Sequence, residues 1–399
     1  MERTKYTSLI KSRLKEKRRF IEVVAGPRQV GKSTIIADII PTLTCPYINE
    51  SADDVFSSSD SWITSIWERA RILEKQHGEA IIIIDEIQKL RNWSVIIKKF
   101  WDEDKRQGNN IKVLLSGSSR LLLMKGISES LQGRFELIQV PHWSFQEMKD
   151  VFGTTLDEFI YFGSYPGPAE LIGDEKRWKT YIRDSIVEAS LTRDIIMLTP
   201  LQKPALLRQL LELGSYYSSQ ILPFDHMLGQ LSDAGNTTTL ASYLELLRQC
   251  GLLTGLQKYS GSEIRKRASS PKLQVFNNAL MSARYAKGFE ESKNDSALWG
   301  RLVESAIGSH LINSIIGEGA SLGYWRDGSD EVDFVLYNAN KIAAFEIKSG
   351  NKPYGKGIEA FRKRFPDSHV YTVSYKSTSG SAVIGAEEFL TQNPMVYLQ

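Results

Sequence analysis

Short apolar runs and longer stretches with helical spacing alternate over the first 140 residues of the chain. Apolar runs of this length are typical of buried strands, whereas apolar residues three and four positions apart predict helices. The alternation predicts an α/β domain with a parallel sheet, with strands at residues 20–25, 46–49, 81–84, 112–115 and 136–140 and helices at residues 34–40 and 62–76.

A different pattern follows the first domain. Three helical stretches precede an expected hairpin, at residues 206–217, 224–231, 238–249, 252–258 and 273–276. This order predicts a winged-helix-like domain. The hairpin loop carries Arg265, Lys266 and Arg267, which suits contact with DNA phosphates, although winged helices also serve as packing modules.

The phosphate-loop motif G-x-x-x-x-G-K-[ST] lies between the first predicted strand and the helix that follows it. It comprises Gly26, Pro27, Arg28, Gln29, Val30, Gly31, Lys32 and Ser33, and Thr34 follows directly. Glycines let backbone N–H groups close on phosphate oxygens, the lysine reaches the β- and γ-phosphates, and the hydroxyl binds Mg²⁺. The sequence therefore predicts an ATP and Mg²⁺ site.

Two carboxylates end the predicted strand at residues 81–84. Because ligands of parallel sheets bind at the carboxyl ends of the strands, we expect Asp85 to join Ser33 in holding Mg²⁺ and Glu86 to polarise the attacking water,. The next strand ends at Ser116 and Ser118, either of which is a candidate γ-phosphate sensor. A plain turn with helix capping explains these serines equally well.

Arg134 stands between a predicted helix and the last strand of the first domain. An arginine at such a junction is a candidate finger that reaches the γ-phosphate of a neighbouring subunit. A surface salt bridge is the competing interpretation, and the sequence does not decide between them.

The C-terminal part combines carboxylates and a lysine on predicted strands that follow a helix. The helix at 298–313 carries Glu304, one strand carries Asp333, and the next carries Glu346 and Lys348, which share a face because residues two apart on a strand do,. Asp333 and Glu346 holding Mg²⁺ beside a lysine, with Glu304 as a further ligand, would suit phosphodiester hydrolysis. An exposed, solvated strand face is the alternative.

Composition adds limits to this picture. The chain has 399 residues, of which 42% are hydrophobic and 24% charged, which is typical of ordinary globular domains and not of disordered or collagen-like chains,. Its net charge of +3 is too small to indicate a nucleic-acid partner,. With two distant cysteines, no signal-peptide pattern and no long apolar run, we expect a cytoplasmic protein without a membrane partner,.

These motifs together resemble a family of prokaryotic AAA-type ATPases with a C-terminal domain similar to PD-(D/E)XK nucleases. The phosphate loop of that family often ends in Lys-Thr, and Ser33 keeps the hydroxyl. The resemblance implies a P-loop ATPase domain over residues 1–145, a helical lid or linker over 146–200, a winged-helix-like domain over 201–290 and a restriction-endonuclease-like domain over 291–399. It also implies a homo-oligomer.

The resulting hypothesis is an ATP-hydrolysing protein that acts on branched or broken DNA, with or without Mg²⁺-dependent cleavage. The alternative is a nucleotide-dependent switch or scaffold whose C-terminal domain cleaves nothing. The sequence identifies no protein partner.

Overall fold

The structure is a computed structural model that describes residues 3–55, 58–117, 123, 130–196, 201–233, 235–260, 269–350, 356–376 and 382–399. The chain forms two compact units, Met1–Val140 and Pro141–Gln399. Ser118 and the basic loop residues Arg265, Lys266 and Arg267 lie outside the described residues.

The first unit contains one parallel sheet in its described part, with strand order β2-β3-β4-β1-β5. The elements in chain order are α1 (Thr4–Lys15), β1 (Ile21–Ala25), α2 (Lys32–Ile39), β2 (Tyr47–Ser51), α3 (Ser59–His77), β3 (Ala80–Asp85), α4 (Trp93–Gln107), β4 (Ile111–Gly117) and β5 (Phe135–Gln139). All neighbouring pairs of these strands run parallel, as the apolar runs predicted.

Strand β3 shows why this sheet is buried on both faces. Ile82 and Ile84 pack into the core shared with α3 and α4, whereas Ile81 and Ile83 pack into the core shared with α1 and α2. Successive side chains of a strand point to opposite faces, so an unbroken isoleucine run supplies both cores at once. Each fully buried isoleucine stabilises the fold by about 1.5–3 kcal/mol. The unit is therefore a three-layer α/β/α sandwich.

The second unit contains a mixed sheet whose described strands are ordered β12-β11-β10-β9-β8-β6-β7. The strands are β6 (Leu253–Lys258), β7 (Lys272–Val275), β8 (Ser321–Asp327), β9 (Asp330–Tyr337), β10 (Ile342–Lys348), β11 (His369–Ser374) and β12 (Val383–Gly385). Strands β10, β11 and β12 run parallel, and β9 is antiparallel to both β8 and β10.

Helices pack around this sheet. They are α5 (Phe145–Phe152), α6 (Leu156–Phe162), α7 (Glu175–Thr180), α8 (Pro204–Tyr216), α9 (Phe224–Gln230), α10 (Thr237–Gln249), α11 (Ala279–Ser282), α12 (Phe289–Asn294), α13 (Ser296–Ser314), α14 (Lys356–Arg364) and α15 (Ala386–Thr391), with π-helical segments at Tyr181–Glu188 and Ser190–Ile196. The predicted order of three helices followed by an antiparallel hairpin is present in α8, α9, α10, β6 and β7.

The hairpin of β6 and β7 does not stand apart from the C-terminal strands. β6 pairs in parallel with β8 through Gln257 and Gly323 and through Lys258 and Tyr324. The four-part division of the chain and the winged-helix assignment stay predictions. The structure adds that one sheet runs across the predicted boundary at residue 290.

No helix within the described ranges combines the length and the apolar character needed to cross a bilayer. The cytoplasmic location stays a prediction.

One buried carboxyl on β1 makes the stability of the first unit depend on pH. Glu22 is only 6% exposed and lies opposite Glu136 on β5. Burial, followed by the charge of Glu136, raises the pKa of Glu22 to about 7, while Arg13 opposes the shift. The folded state therefore keeps a proton that the unfolded state loses, and stability falls as pH rises between the unfolded and folded pKa values.

We expect the Glu22→Gln substitution to stabilise the protein on the order of 1–3 kcal/mol at pH 8 and by close to nothing at pH 4, because only the ionised carboxylate is penalised. Thermal unfolding of both proteins across this pH range measures the difference. Glu68→Gln, which changes an exposed carboxyl on α3, is the control. A gain for Glu22→Gln that did not grow with pH would contradict the assignment.

Candidate functional site

The phosphate loop connects the carboxyl end of β1 to the first turn of α2. Gly31 precedes the helix with a φ of 88°, a left-handed conformation that glycine adopts without strain,. A Cβ on Gly26 would lie 2.1 Å from the carbonyl oxygen of Val140, so only glycine allows the loop to pass this close to the end of the unit. The amide of Val140 in turn donates to the carbonyl of Ala25 at 2.8 Å.

The ammonium group of Lys32 lies inside this loop. Its Nζ donates to the carbonyl oxygens of Gly26 at 3.0 Å and Pro27 at 2.7 Å, and the residue is only 6% exposed. A buried ammonium group held by main-chain carbonyls of the phosphate loop suits a lysine that binds an anion.

The carboxylate of Asp85 joins three parts of the site. Its Oδ2 accepts a hydrogen bond from the Ser33 hydroxyl at 2.7 Å, and its Oδ1 accepts from the amide of Glu86 at 2.9 Å and from the hydroxyl of Ser116. The order β3-β4-β1 brings these residues to one edge of the sheet, although they are far apart in sequence.

The hydroxyl of Ser33 and the carboxylate of Asp85 also fit the Mg²⁺ that phosphate-loop proteins use. Both are oxygen donors, which Mg²⁺ prefers, and they are within hydrogen-bond distance of each other,. Mg²⁺ binds through one or two protein groups together with phosphate oxygens, so this pair is a sufficient set of protein ligands.

Glu86 follows in a left-handed conformation with a φ of 52°, which is uncommon for a residue with a side chain,. Such backbone conformations occur often at functional sites. Gln88 donates to its carboxylate at 2.5 Å and is itself buried. A Cβ on Gly117 would lie 2.0 Å from Gln88 Oε1, so Gln88 connects the end of β4 to Glu86. Sequence reasoning missed Gln88, because a glutamine after an acidic pair carries no motif.

Ser116, the first sensor candidate, is fully buried and bonded to Asp85. Its contact in this structure is therefore with the candidate Mg²⁺ ligand. The assignment of a γ-phosphate sensor stays a prediction.

Arg134 forms a two-pronged ion pair with Asp102 on α4, with Nε to Oδ1 at 2.8 Å and Nη2 to Oδ2 at 3.0 Å. The hydrogen bond from Arg134 lowers the pKa of Asp102. Arg134 precedes β5, which pairs in parallel with β1, so it lies at the amino edge of the sheet. The phosphate loop is at the opposite edge, about 16 Å away by the rise of five strand residues,. Arg134 thus does not belong to the phosphate site of its own chain, and the trans assignment stays a prediction.

In the second unit, the carboxylates predicted on α13 and β9 surround a lysine that sequence reasoning missed. Lys272 on β7 is fully buried, and its Nζ lies 2.7 Å from Glu304 Oε1, 3.6 Å from Asp333 Oδ1 and 3.7 Å from Glu331 Oε1. Burial alone would lower the pKa of Lys272, but the charges of Glu304 and Asp333 outweigh it and raise the pKa above its ordinary value. The neighbouring carboxylates therefore favour the charged form of Lys272.

Glu346 and Lys348 share one face of β10, as predicted, and form an ion pair with each other. Asp333 on the neighbouring strand contacts β10 through its Oδ2, which accepts from the amide of Ile347 at 2.7 Å. Each predicted carboxylate thus contacts a lysine, and Asp333 also accepts a hydrogen bond from a main-chain amide. Across the described ranges, no three His, Cys, Asp or Glu side chains are arranged to hold a metal ion. Lys272 contacts Glu304 and Asp333, and Lys348 contacts Glu346. The assignment of these three carboxylates as Mg²⁺ ligands stays a prediction.

A basic cleft of about 960 Å³ opens elsewhere on the second unit. Its lining includes the basic residues His226, Lys258, Arg326 and Arg364 and the aromatic residues Tyr259, Tyr324, Trp325 and Phe365, with Asp327 as its acidic side chain. Arg326 and Arg364 are exposed. Sequence reasoning missed this cleft, because its residues come from five separate stretches of the chain.

Three family models match the chain. Residues 18–149 match an AAA domain, residues 153–292 match a domain of unknown function, DUF8612, and residues 299–389 match another, DUF4143. The first match spans the sheet and the phosphate loop, so the five-stranded parallel unit is a P-loop domain of the AAA type. None of these matches describes a nuclease.

Two curated relatives align with most of the chain. The uncharacterized protein MJ1544 of Methanocaldococcus jannaschii is 23% identical over 89% of this chain and 81% of its own length. An uncharacterized protein of Haemophilus influenzae is 22% identical over 82% of this chain and 83% of its own length. A katanin structure from work on its self-assembly aligns with 46% of this chain at 19% identity and a TM-score of 0.28. The alignment covers 62% of the katanin chain, which is less than two thirds of its length.

Proposed function

Because residues 18–149 form an AAA domain with an assembled phosphate loop, we propose that this protein is an ATPase that hydrolyses ATP and acts on DNA. The observation that carries the hydrolysis is the hydrogen bond of 2.7 Å between Ser33 and Asp85. It joins the phosphate loop to the acidic end of β3, which are the two parts that phosphoryl transfer requires.

Each residue of the site has a separate task in this proposal. The amides of the loop and the ammonium group of Lys32 bind and orient the phosphates, and Ser33 and Asp85 would hold Mg²⁺. Bound Mg²⁺ neutralises charge that develops on the phosphate oxygens. The carboxylate of Glu86 accepts a hydrogen bond from the attacking water, and Gln88 fixes the orientation of that carboxylate,.

The basic cleft of the second unit supports the DNA part of the proposal. Lys258, Arg326 and Arg364 offer cations for backbone phosphates, and the half-buried Tyr259 and Phe365 offer aromatic rings to bases. Grooves that combine these features bind single-stranded nucleic acid without strong sequence preference. We infer that the cleft contacts a single strand exposed at branched or broken DNA.

A homo-oligomer completes the proposal. Arg134 lies at the sheet edge away from its own phosphate loop, so it reaches an ATP only if a second copy presents one. A switch or scaffold is the second candidate function. The ion pairs of Lys272 with Glu304 and Asp333 favour it over a cleaving enzyme.

For the ATP site, we expect Lys32→Ala to weaken ATP binding by about 10- to 100-fold, because it removes a charged hydrogen-bond donor. Glu86→Gln should retain binding and lower turnover by about 10²–10⁴-fold, because it removes the group that orients water. Titration with a fluorescent ATP analogue and a phosphate-release assay measure the two effects. Lys75→Ala, an exposed lysine at the end of α3, is the control. Equal ATP affinity in wild type and Lys32→Ala would refute the assigned site.

For Arg134, we expect Arg134→Ala to lower ATP hydrolysis by about 10³-fold in the assembled protein, as removal of an arginine finger does. Asp102→Ala breaks the same ion pair and should leave hydrolysis near the wild-type rate. ATPase assays at increasing protein concentration compare the two variants. Equal reductions in both would assign Arg134 to the surface ion pair alone.

For the cleft, we expect the triple variant Lys258→Ala/Arg326→Ala/Arg364→Ala to lose most of its affinity for a labelled single strand of about 15 nucleotides. The salt dependence of binding should also become shallower, by about 0.7 for each phosphate that the variant no longer neutralises. Fluorescence anisotropy measures both. Arg362→Ala, an exposed arginine on α14 outside the cleft, is the matched control. Unchanged affinity in the triple variant, with ATP hydrolysis intact, would reject the cleft without rejecting the ATPase.

A further inference from the structure

The acidic cluster of the second unit is built around an internal cation. We propose that the ammonium group of Lys272 supplies to Glu304, Glu331 and Asp333 the positive charge that a divalent metal supplies in a nuclease. The second unit then holds no metal-dependent cleavage centre at these residues. The cluster instead holds residues 153–292, which match DUF8612, to residues 299–389, which match DUF4143.

The contacts of Lys272 carry this proposal. Besides the three carboxylates, its Nζ donates to the main-chain oxygen of Asp333 at 3.1 Å and lies 4.9 Å from the centre of the Phe334 ring. An ammonium group has three hydrogens to donate, and these oxygens and the ring face surround it. A metal ion binding the same carboxylates would have to displace Lys272 or lie beside its charge with no intervening water.

The remaining carboxylate oxygens do not form a second ligand set. Asp333 Oδ2 accepts from the Ile347 amide at 2.7 Å, and Glu346 pairs with Lys348. Arg326 approaches Glu331 at 4.0 Å. Glu346 Oε2 is buried without a hydrogen-bond partner among the described residues, but one oxygen beside an ammonium group falls short of the several oxygens that a divalent ion needs.

The position of Lys272 in the fold explains how the cluster links the two matched regions. Lys272 begins β7, Glu304 lies in α13, and Glu331 and Asp333 lie in β9. β7 falls in the first of the two matched regions, and Glu304 and β9 fall in the second. The buried ion pairs therefore cross the boundary between these regions. Removal of the ammonium group leaves carboxylates buried without a cation, which is strongly destabilising.

The test uses the full chain and separates the two halves of the proposal. Lys272→Met, which keeps the length of the side chain but removes its charge, should lower the unfolding temperature by about 5 °C or more. Lys272→Met/Glu304→Gln should recover at least half of that decrease, because it removes the unpaired carboxylate. Lys341→Met, which changes an exposed lysine directly before β10, should leave the unfolding temperature unchanged. A Lys272→Met protein as stable as wild type would overturn the fastening role.

The absence of a metal-dependent centre is tested without Lys272→Met, so the result does not depend on whether that variant folds. Mn²⁺ binding without nucleotide is followed by electron paramagnetic resonance, and cleavage of linear and forked duplexes is assayed with Mg²⁺ and Mn²⁺. We expect Asp333→Asn and Glu346→Gln to leave Mn²⁺ binding unchanged, and no cleavage in any of the proteins. Mn²⁺ binding or cleavage that disappears in either variant would overturn the proposal.

Discussion

The carboxylate of Asp85 is the group on which the first unit depends. Its two oxygens accept hydrogen bonds from Ser33 in the phosphate loop, from Ser116 at the end of β4 and from the amide of Glu86. These bonds require β1, β3 and β4 to be parallel and to end at the same edge, which the strand order provides,. The isoleucine run of β3 fixes that strand in the sheet from both faces. The packing of β3 thus positions the Asp85 carboxylate, which in turn holds Ser33 and Ser116 by hydrogen bonds.

In the second unit the central buried group is a cation, the ammonium group of Lys272. A fully buried lysine lies among three carboxylates from two other elements, so none of these charges is left in a low-dielectric environment without a partner. In the first unit the polar groups gather around the phosphate loop, whereas here they face one another. The same residue types, aspartate, glutamate and lysine, therefore form the proposed nucleotide site in one place and a cluster of ion pairs in the other.

Sequence patterns predicted much of this structure for physical reasons. The isoleucine run at residues 81–84 is typical of a strand in a parallel sheet, and α13 covers the helix predicted at residues 298–313. The role of Lys272 was not predictable, since a lysine at the start of a hairpin strand is usually solvated and its partners lie 32 to 61 residues further along the chain. The pairing of β6 with β8 also went unpredicted, because strand alternation does not specify a partner,.

The close approach of Gly26 to Val140 has a consequence for the shape of the phosphate loop. Val140 is the last residue of the first unit, and the chain continues from it into Pro141. The covalent exit of the ATPase unit is therefore anchored against the first residue of the phosphate loop, by a hydrogen bond to Ala25 and by a contact that leaves no room for a methyl group. A backbone shift of Gly26 must therefore be accompanied by a shift of Val140. The last residue of the first unit thus forms one wall of the phosphate loop.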